Sequence, residues 1–133
     1  MRVVLDTNVL VSALLKSTGA PAQVLEAVLE GRLVVVFDDR ILEEYREVLA
    51  RPKFARAIDP QAASAVIEFI VAAGERVTAS GAAVTVVDPK DAAFIEVALT
   101  GGVDAIVTGN QKHFPANVGA RVLSPAELIA SLA

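Results

Sequence analysis

The most constraining feature of this chain is a repeated local order. A short β-branched apolar run meets a polar exit, and apolar residues at helical spacing follow. Arg2-Val3-Val4-Leu5 opens directly into Asp6-Thr7-Asn8, after which Val9, Leu10, Ala13 and Leu14 recur on one helical face. Leu33-Val34-Val35-Val36-Phe37 reads as a second buried strand, followed by Asp38-Asp39 and an amphipathic stretch marked by Ile41, Leu42, Tyr45, Val48 and Leu49. Ala105-Ile106-Val107 is another strand that leaves through Thr108-Gly109-Asn110, and Arg121-Val122-Leu123 is the last. Strands alternating with helices select an α/β fold with a mostly parallel sheet, since parallel neighbours need a crossover between them. With 54% of residues hydrophobic and only 5% aromatic, the composition suits a buried parallel sheet flanked by helices.

Punctuation residues divide the remainder. Pro21, after the loop Ser17–Ala20, opens a helix to about Glu30, and Gly31 ends it. Asp59-Pro60 repeats the cap-then-proline signal before a helix from Ala62 to Ala73, closed by Gly74. Arg76 to Val87 is expected to hold one or two strands around the Ser80-Gly81 turn. Asp88-Pro89 starts a helix that runs to Leu99, with Phe94, Ile95, Ala98 and Leu99 on its buried face and Glu96 nearly opposite. Gly101-Gly102 is a turn, Gln111 to Pro115 a loop, and Ser124-Pro125-Ala126-Glu127 has capping-box spacing ahead of a terminal helix. The 133 residues read as a single domain, 1–133, without repeat or linker.

Several classes drop out. No cysteine and a single histidine exclude thiolate metal sites and disfavour zinc. No basic-then-apolar leader opens the chain and no apolar run is long enough to span a membrane, so a soluble, cytoplasmic protein is expected. A formal net charge of −4 argues against broad non-specific contact with nucleic acid, though a local basic rim around an acidic pocket is compatible with it.

Attention therefore falls on the acids. Asp91 lies near the middle of the buried helix face, where a carboxylate is costly unless bonded, paired or bound to metal; its plainer role is to satisfy free backbone N–H groups of the first turn. Asp6 stands at the carboxyl end of the first strand, where open α/β sheets bind ligands, with helix capping as the plainer alternative. Helical spacing puts Glu43 and Glu47 opposite the apolar side and Glu44 on its edge, within reach of a cleft. Asp38 and Asp39 read as cap and turn. Arg51-Pro52-Lys53-Phe54-Ala55-Arg56 is the compact basic cluster, either a solvated helix end or a rim that contacts phosphate. His113 reads as an exposed loop residue. Carboxylates brought within about 4 Å repel by about 4 kcal/mol per pair at an effective dielectric near 20. Such a group needs protonation or a cation, and oxygen-only donors point to Mg²⁺ or Mn²⁺.

Asp6-Thr7-Asn8, Glu44 within Ile41-Leu42-Glu43-Glu44-Tyr45, Asp88-x-x-Asp91 with Phe94 and Ala98, and Val107-Thr108-Gly109-Asn110 resemble, in this order, the motifs of PIN-domain nucleases. The likeness is nearest to the VapC-type toxin components of toxin–antitoxin pairs. It implies a three-layer α/β/α sandwich and a divalent metal, Mg²⁺ or Mn²⁺, held by Asp6, Glu44 and Asp91. It also implies cleavage of RNA by metal-activated water, a homodimer and a cognate antitoxin. Asn8, Asp88, Thr108 and Asn110 are the supporting residues, and Arg51, Lys53, Arg56 and Lys112 the candidates for RNA contact. Asn110 departs from the pattern, because many PIN domains carry a fourth acid there; a weaker second metal position is expected, with Asp88 able to supply the missing charge. Two rivals remain: a PIN module that binds RNA or a partner without cutting, and a phosphoacceptor receiver domain, which the lack of a lysine after the last strand disfavours.

Overall fold

The computed structural model describes residues 1–79, 91–115 and 119–133. Its strands are β1 (Arg2–Leu5), β2 (Val34–Phe37), β3 (Glu75–Arg76), β4 (Ala105–Val107) and β5 (Arg121–Leu123). They form a five-stranded sheet in the order β3-β2-β1-β4-β5, and every pair is parallel. The helices among the described residues are α1 (Thr7–Leu15), α2 (Ala20–Leu29), α3 (Asp39–Leu49), α4 (Pro52–Ala55), α5 (Pro60–Ala73), α6 (Ala92–Gly101) and α7 (Pro125–Leu132). The result is a PIN-like α/β sandwich around an all-parallel sheet, as the alternation of apolar runs and helical stretches requires.

The strand order locates the site before any side chain is considered. The chain lays β2 and β3 outward on one side of β1, then returns to place β4 and β5 on the other. The direction of winding therefore reverses at β1, and the crevice beyond the carboxyl ends of β1 and β4 is the place where open α/β sheets receive ligands. A receiver-type sheet runs 2-1-3-4-5, so the topology removes that rival.

Val3, Val4, Leu5, Val36, Phe37, Ala105, Ile106 and Val107 are fully or almost fully buried. Each fully buried side chain of the Val, Leu or Phe kind contributes about 1.5–3 kcal/mol. Helix α6 packs on β1, β2 and β4, while α3 and α5 pack on β2. Helix α1 contacts α2 and α3, and α2 contacts α7. Three helix starts form as their residues dictate. Asp38 accepts from the Ile41 N–H at 3.0 Å, Asp59 from the Gln61 N–H at 3.0 Å, and Ser124 with Glu127 completes a capping box.

Two expectations about α6 are corrected. Its buried face carries Val97 as well as Phe94, Ile95 and Ala98, whereas Leu99 is 42% exposed. The helix runs on to Gly101, where an added Cβ would stand 3.1 Å from Val36 Cγ1. The face in contact with the sheet is thus the row 94, 97, 98 and 101, which leaves Leu99 on the flank. Gly102 then ends the helix in the left-handed region at φ 59, a conformation that favours glycine. Of the strands expected over 76–87, β3 reaches only Arg76 and residues 77–79 are not in a strand; the rest of that stretch, and the expected start at Asp88-Pro89, lie outside the described residues. Gln111–His113 forms a 3₁₀ turn within the stretch read as a loop.

Candidate active site at the carboxyl edge of the sheet

Asp6 is the first residue beyond β1. Its backbone N–H donates to Val107 O at 2.9 Å, so the β1–β4 ladder carries it to the seam between the two strand ends. Although it precedes α1, its side chain makes no capping hydrogen bond to that helix. Instead Thr108 Oγ1 donates to Asp6 Oδ2 at 2.7 Å. Thr108 is wholly buried, and its own N–H donates to Leu123 O at 2.9 Å. The Asn110 N–H donates to Thr108 Oγ1 at 3.0 Å, which leaves the hydroxyl proton for Asp6. Asn8 Oδ1 accepts from the Gly109 N–H at 3.4 Å and ties α1 to the exit of β4. Burial pushes the Asp6 carboxyl above its ordinary value, against the opposing effects of the Thr108 hydroxyl, the Thr7 backbone N–H and the charge of His113.

Glu44 comes in from α3. It is half-buried while Glu43 and Glu47 are exposed, as helical spacing requires, and the Thr7 hydroxyl donates to its carboxylate. Thr7 thereby links the residue after Asp6 to Glu44. The next residue along α3, Tyr45, is fully buried and donates from its hydroxyl to Leu5 O at 2.6 Å. It pins the backbone just before Asp6. Burial, followed by the charges of Asp6 and Glu44, raises its phenol well above the usual value, so it stays protonated. The amphipathic pattern marked Tyr45 only as apolar, and nothing local in the sequence reveals its polar end.

Asp91 precedes α6 and is 9% exposed. Its side chain makes no capping bond to α6, and the turn from Asp88 that its plainer role would serve lies outside the described residues. Asp91 Oδ2 lies 3.9 Å from Nδ1 of His113. The histidine read as a bystander is thus drawn beside one acid and acts electrostatically on another. Sequence reasoning missed it because the contact spans β4 and the turn that follows.

Other predicted residues fall elsewhere. Asp88 lies outside the described residues. Arg51, Lys53 and Arg56 are exposed on and around α4, with Arg51 3.2 Å from Glu47 and Lys53 Nζ 4.9 Å from the centre of the Phe54 ring. Lys112 and Asn110 are exposed beside His113. Glu96, expected to point away from the core, has a side chain only 12% exposed and pairs at 2.8 Å with Arg40. Arg40 also holds Asp38 at 2.8 Å, so this acid belongs to a clamp between α3 and α6. Among the described residues no three acidic or histidine side chains form a group able to hold a metal ion directly.

A buried carboxylate at the switch point, two threonines and a second acid on the adjoining helix meet at this edge. A family model for the PIN domain matches residues 2–112, and the chain belongs to the PIN-domain family. PIN domains are generally nucleases, so the class of chemistry this membership supports is hydrolysis of nucleic acid. No curated protein matches the chain. Among the described residues no helix is long and apolar enough to cross a membrane.

Proposed function

We propose that the protein is a divalent-metal-dependent endoribonuclease, the VapC-type toxin of a toxin–antitoxin pair, that hydrolyses RNA phosphodiester bonds at this edge. The observation that carries the reading is Asp6: an 8% exposed carboxylate at the switch point whose partner is a hydroxyl rather than a cation. Among the described residues neither Asp6 nor Glu44 lies within ion-pair distance of any lysine or arginine. Such a carboxylate is costly on its own, and oxygen donors of this kind fit a hard cation such as Mg²⁺ or Mn²⁺. Asp6, Glu44 and Asp91 would hold the ion, partly through water, since their described positions do not make a ready cage. Bound there, the ion would lower the pKa of water and stabilise charge on the scissile phosphate.

The protein's own share is placement. Thr108 fixes one oxygen of Asp6, Thr7 holds Glu44, and Tyr45 fixes the backbone that delivers Asp6. Lys112, Arg51, Lys53 and Arg56, all exposed, would contact the RNA phosphates. Asn110 brings no charge to the fourth position, which favours a one-ion site unless Asp88 contributes.

Purified protein should cleave single-stranded RNA with Mg²⁺ or Mn²⁺ and stop in EDTA. Asp6→Asn and Asp91→Asn should each lose at least about 100-fold, the upper end of what removing a supporting contact costs. Unchanged cleavage by Asp91→Asn would reject its assigned role. Asn110 and the formal net charge of −4 favour a second reading, a module that binds RNA or a partner without cutting. Tight RNA binding with no product in any divalent metal would establish it. The toxin role predicts growth arrest on expression in the cytoplasm, relieved by the product of a short adjoining reading frame that co-purifies with a homodimer.

A further inference from the structure

Of the three acids assigned to the ion, Glu44 stands on α3 and Asp91 at the start of α6. Their separation therefore depends on how those two helices are set against each other. Helix α6 meets the sheet through Phe94, Val97, Ala98 and Gly101, an apolar row whose last two members are small. Apolar contact is non-directional and small side chains leave shallow ridges, so this packing does little to fix the rotation of α6.

A directional contact is available at the seam. Arg40, in the first turn of α3, donates from Nε to Asp38 Oδ2 at 2.8 Å and from Nη1 to Glu96 Oε1 at 2.8 Å. Asp38 is itself held at the end of β2 by the Ile41 N–H. Both carboxylates are largely buried while the guanidinium is half exposed, so Arg40 closes the seam from the solvent side. Its planar fork gives each acceptor a set direction. The pair also sits close in sequence to the acids of the site. Arg40 stands one turn before Glu44 on the same face of α3. Glu96 stands about one and a half turns beyond Asp91 on α6.

We infer that Arg40 is a positioning residue: by pairing with Glu96 it sets the distance between Glu44 and Asp91, and with it the affinity of the site for a divalent cation. The inference rests on the metal-dependent reading of the site. The sign of the effect separates this role from a purely electrostatic one. A cation near acidic ligands opposes a second cation, so by charge alone removing Arg40 tightens metal binding. If Arg40 acts by seating α6, removing it weakens metal binding.

The full chain, free of RNA, is titrated with Mn²⁺, and the free ion is measured by electron paramagnetic resonance at a temperature where melting curves show each variant folded. Arg40→Met and Glu96→Ala should each bind Mn²⁺ about tenfold more weakly, the lower end of the loss for a contact that supports a ligand. Glu96→Gln, whose amide oxygen still accepts from Arg40, should keep most of the affinity. Glu75→Gln, which breaks the Arg2 pair at the amino edge of the sheet, should keep all of it. Tighter or unchanged Mn²⁺ binding by Arg40→Met would overturn the inference. An equal fall in Glu96→Gln and Glu96→Ala would overturn it too, since lost charge rather than lost seating would then be the cause. Should Arg40→Met fail to fold, the comparison of the two Glu96 variants decides. A wild type that binds no Mn²⁺ would remove the metal-dependent reading and this inference together. Mn²⁺ binding by the wild type, matched by the Arg40 and Glu96 variants, would remove this inference alone.

Discussion

Strands β1 and β2 lie side by side, run parallel, and each ends in a buried aspartate at the same edge, yet the two residues are used in opposite ways. Asp38 after β2 caps α3 through the Ile41 N–H and is paired with Arg40, which reaches across to Glu96 on α6. Asp6 after β1 caps nothing through its side chain and meets a threonine hydroxyl. Their exposures are alike, 6% and 8%. Burial therefore does not separate a structural acid from one open to a ligand; the charge of its neighbours does. Asp38 is neutralised from within the chain, whereas among the described residues Asp6 has no lysine or arginine within ion-pair distance, and it is on that difference that its proposed metal role rests.

The hardest test of that contrast is Arg40→Met. It leaves Asp38 and Glu96 without their shared guanidinium, and we expect a loss of about 2 kcal/mol in urea denaturation. That figure is below the value for a fully buried pair because Arg40 is about half exposed. An unchanged midpoint would mean that the cap alone holds Asp38.

Asp6→Asn should act in the opposite direction, stabilising the metal-free protein by about 1 kcal/mol at neutral pH, because it removes a buried charge that lacks a cation. Burial holds the Asp6 carboxyl above its ordinary value in the folded state. Its contribution is thus present below the unfolded carboxylate range and lost as pH rises through the raised folded value. The gain from asparagine should accordingly vanish in acid. A destabilised variant at neutral pH would show that the ionised carboxylate's bond to Thr108 outweighs desolvation.

The smallest effect belongs to the amino edge of the sheet, where Arg2 holds Glu75 at 2.8 Å. The Arg2 hydrogen bond pulls the Glu75 carboxyl below its usual value. Its stabilisation is present above the unfolded carboxylate range and lost as pH falls through the folded value, the reverse of Asp6. Solvent screening limits Glu75→Gln to about 0.5 kcal/mol. Matching pH slopes for the Asp6 and Glu75 variants would erase the distinction between the two edges.

Local rules anticipated much of this. The caps at Asp38, Asp59 and Ser124, the polar exits after β1 and β4, and the half-buried place of Glu44 all follow from residue type and spacing over a few positions. Helical periodicity was less able to place Glu96 and Leu99. A small rotation of α6 on the sheet moves flank residues between core and surface, and Arg40 on another helix decides where Glu96 can go. Tyr45 and His113 were beyond its reach, because each is defined by a partner far away in the chain, Leu5 for one and Asp91 for the other.

By itself the sequence determined the alternation of strands and helices, the parallel sheet they must form, and the oxygen-rich, thiol-free chemistry available at the strand ends. These depend on local spacing and composition, which survive any rearrangement of the elements. Only the tertiary structure decided that β4 returns beside β1, that Thr108 rather than a cation meets Asp6, and that Asp38 is closed off by Arg40. Those outcomes depend on which side chains are brought together across long separations, and charge compensation in a buried site is a property of that meeting and not of any one residue.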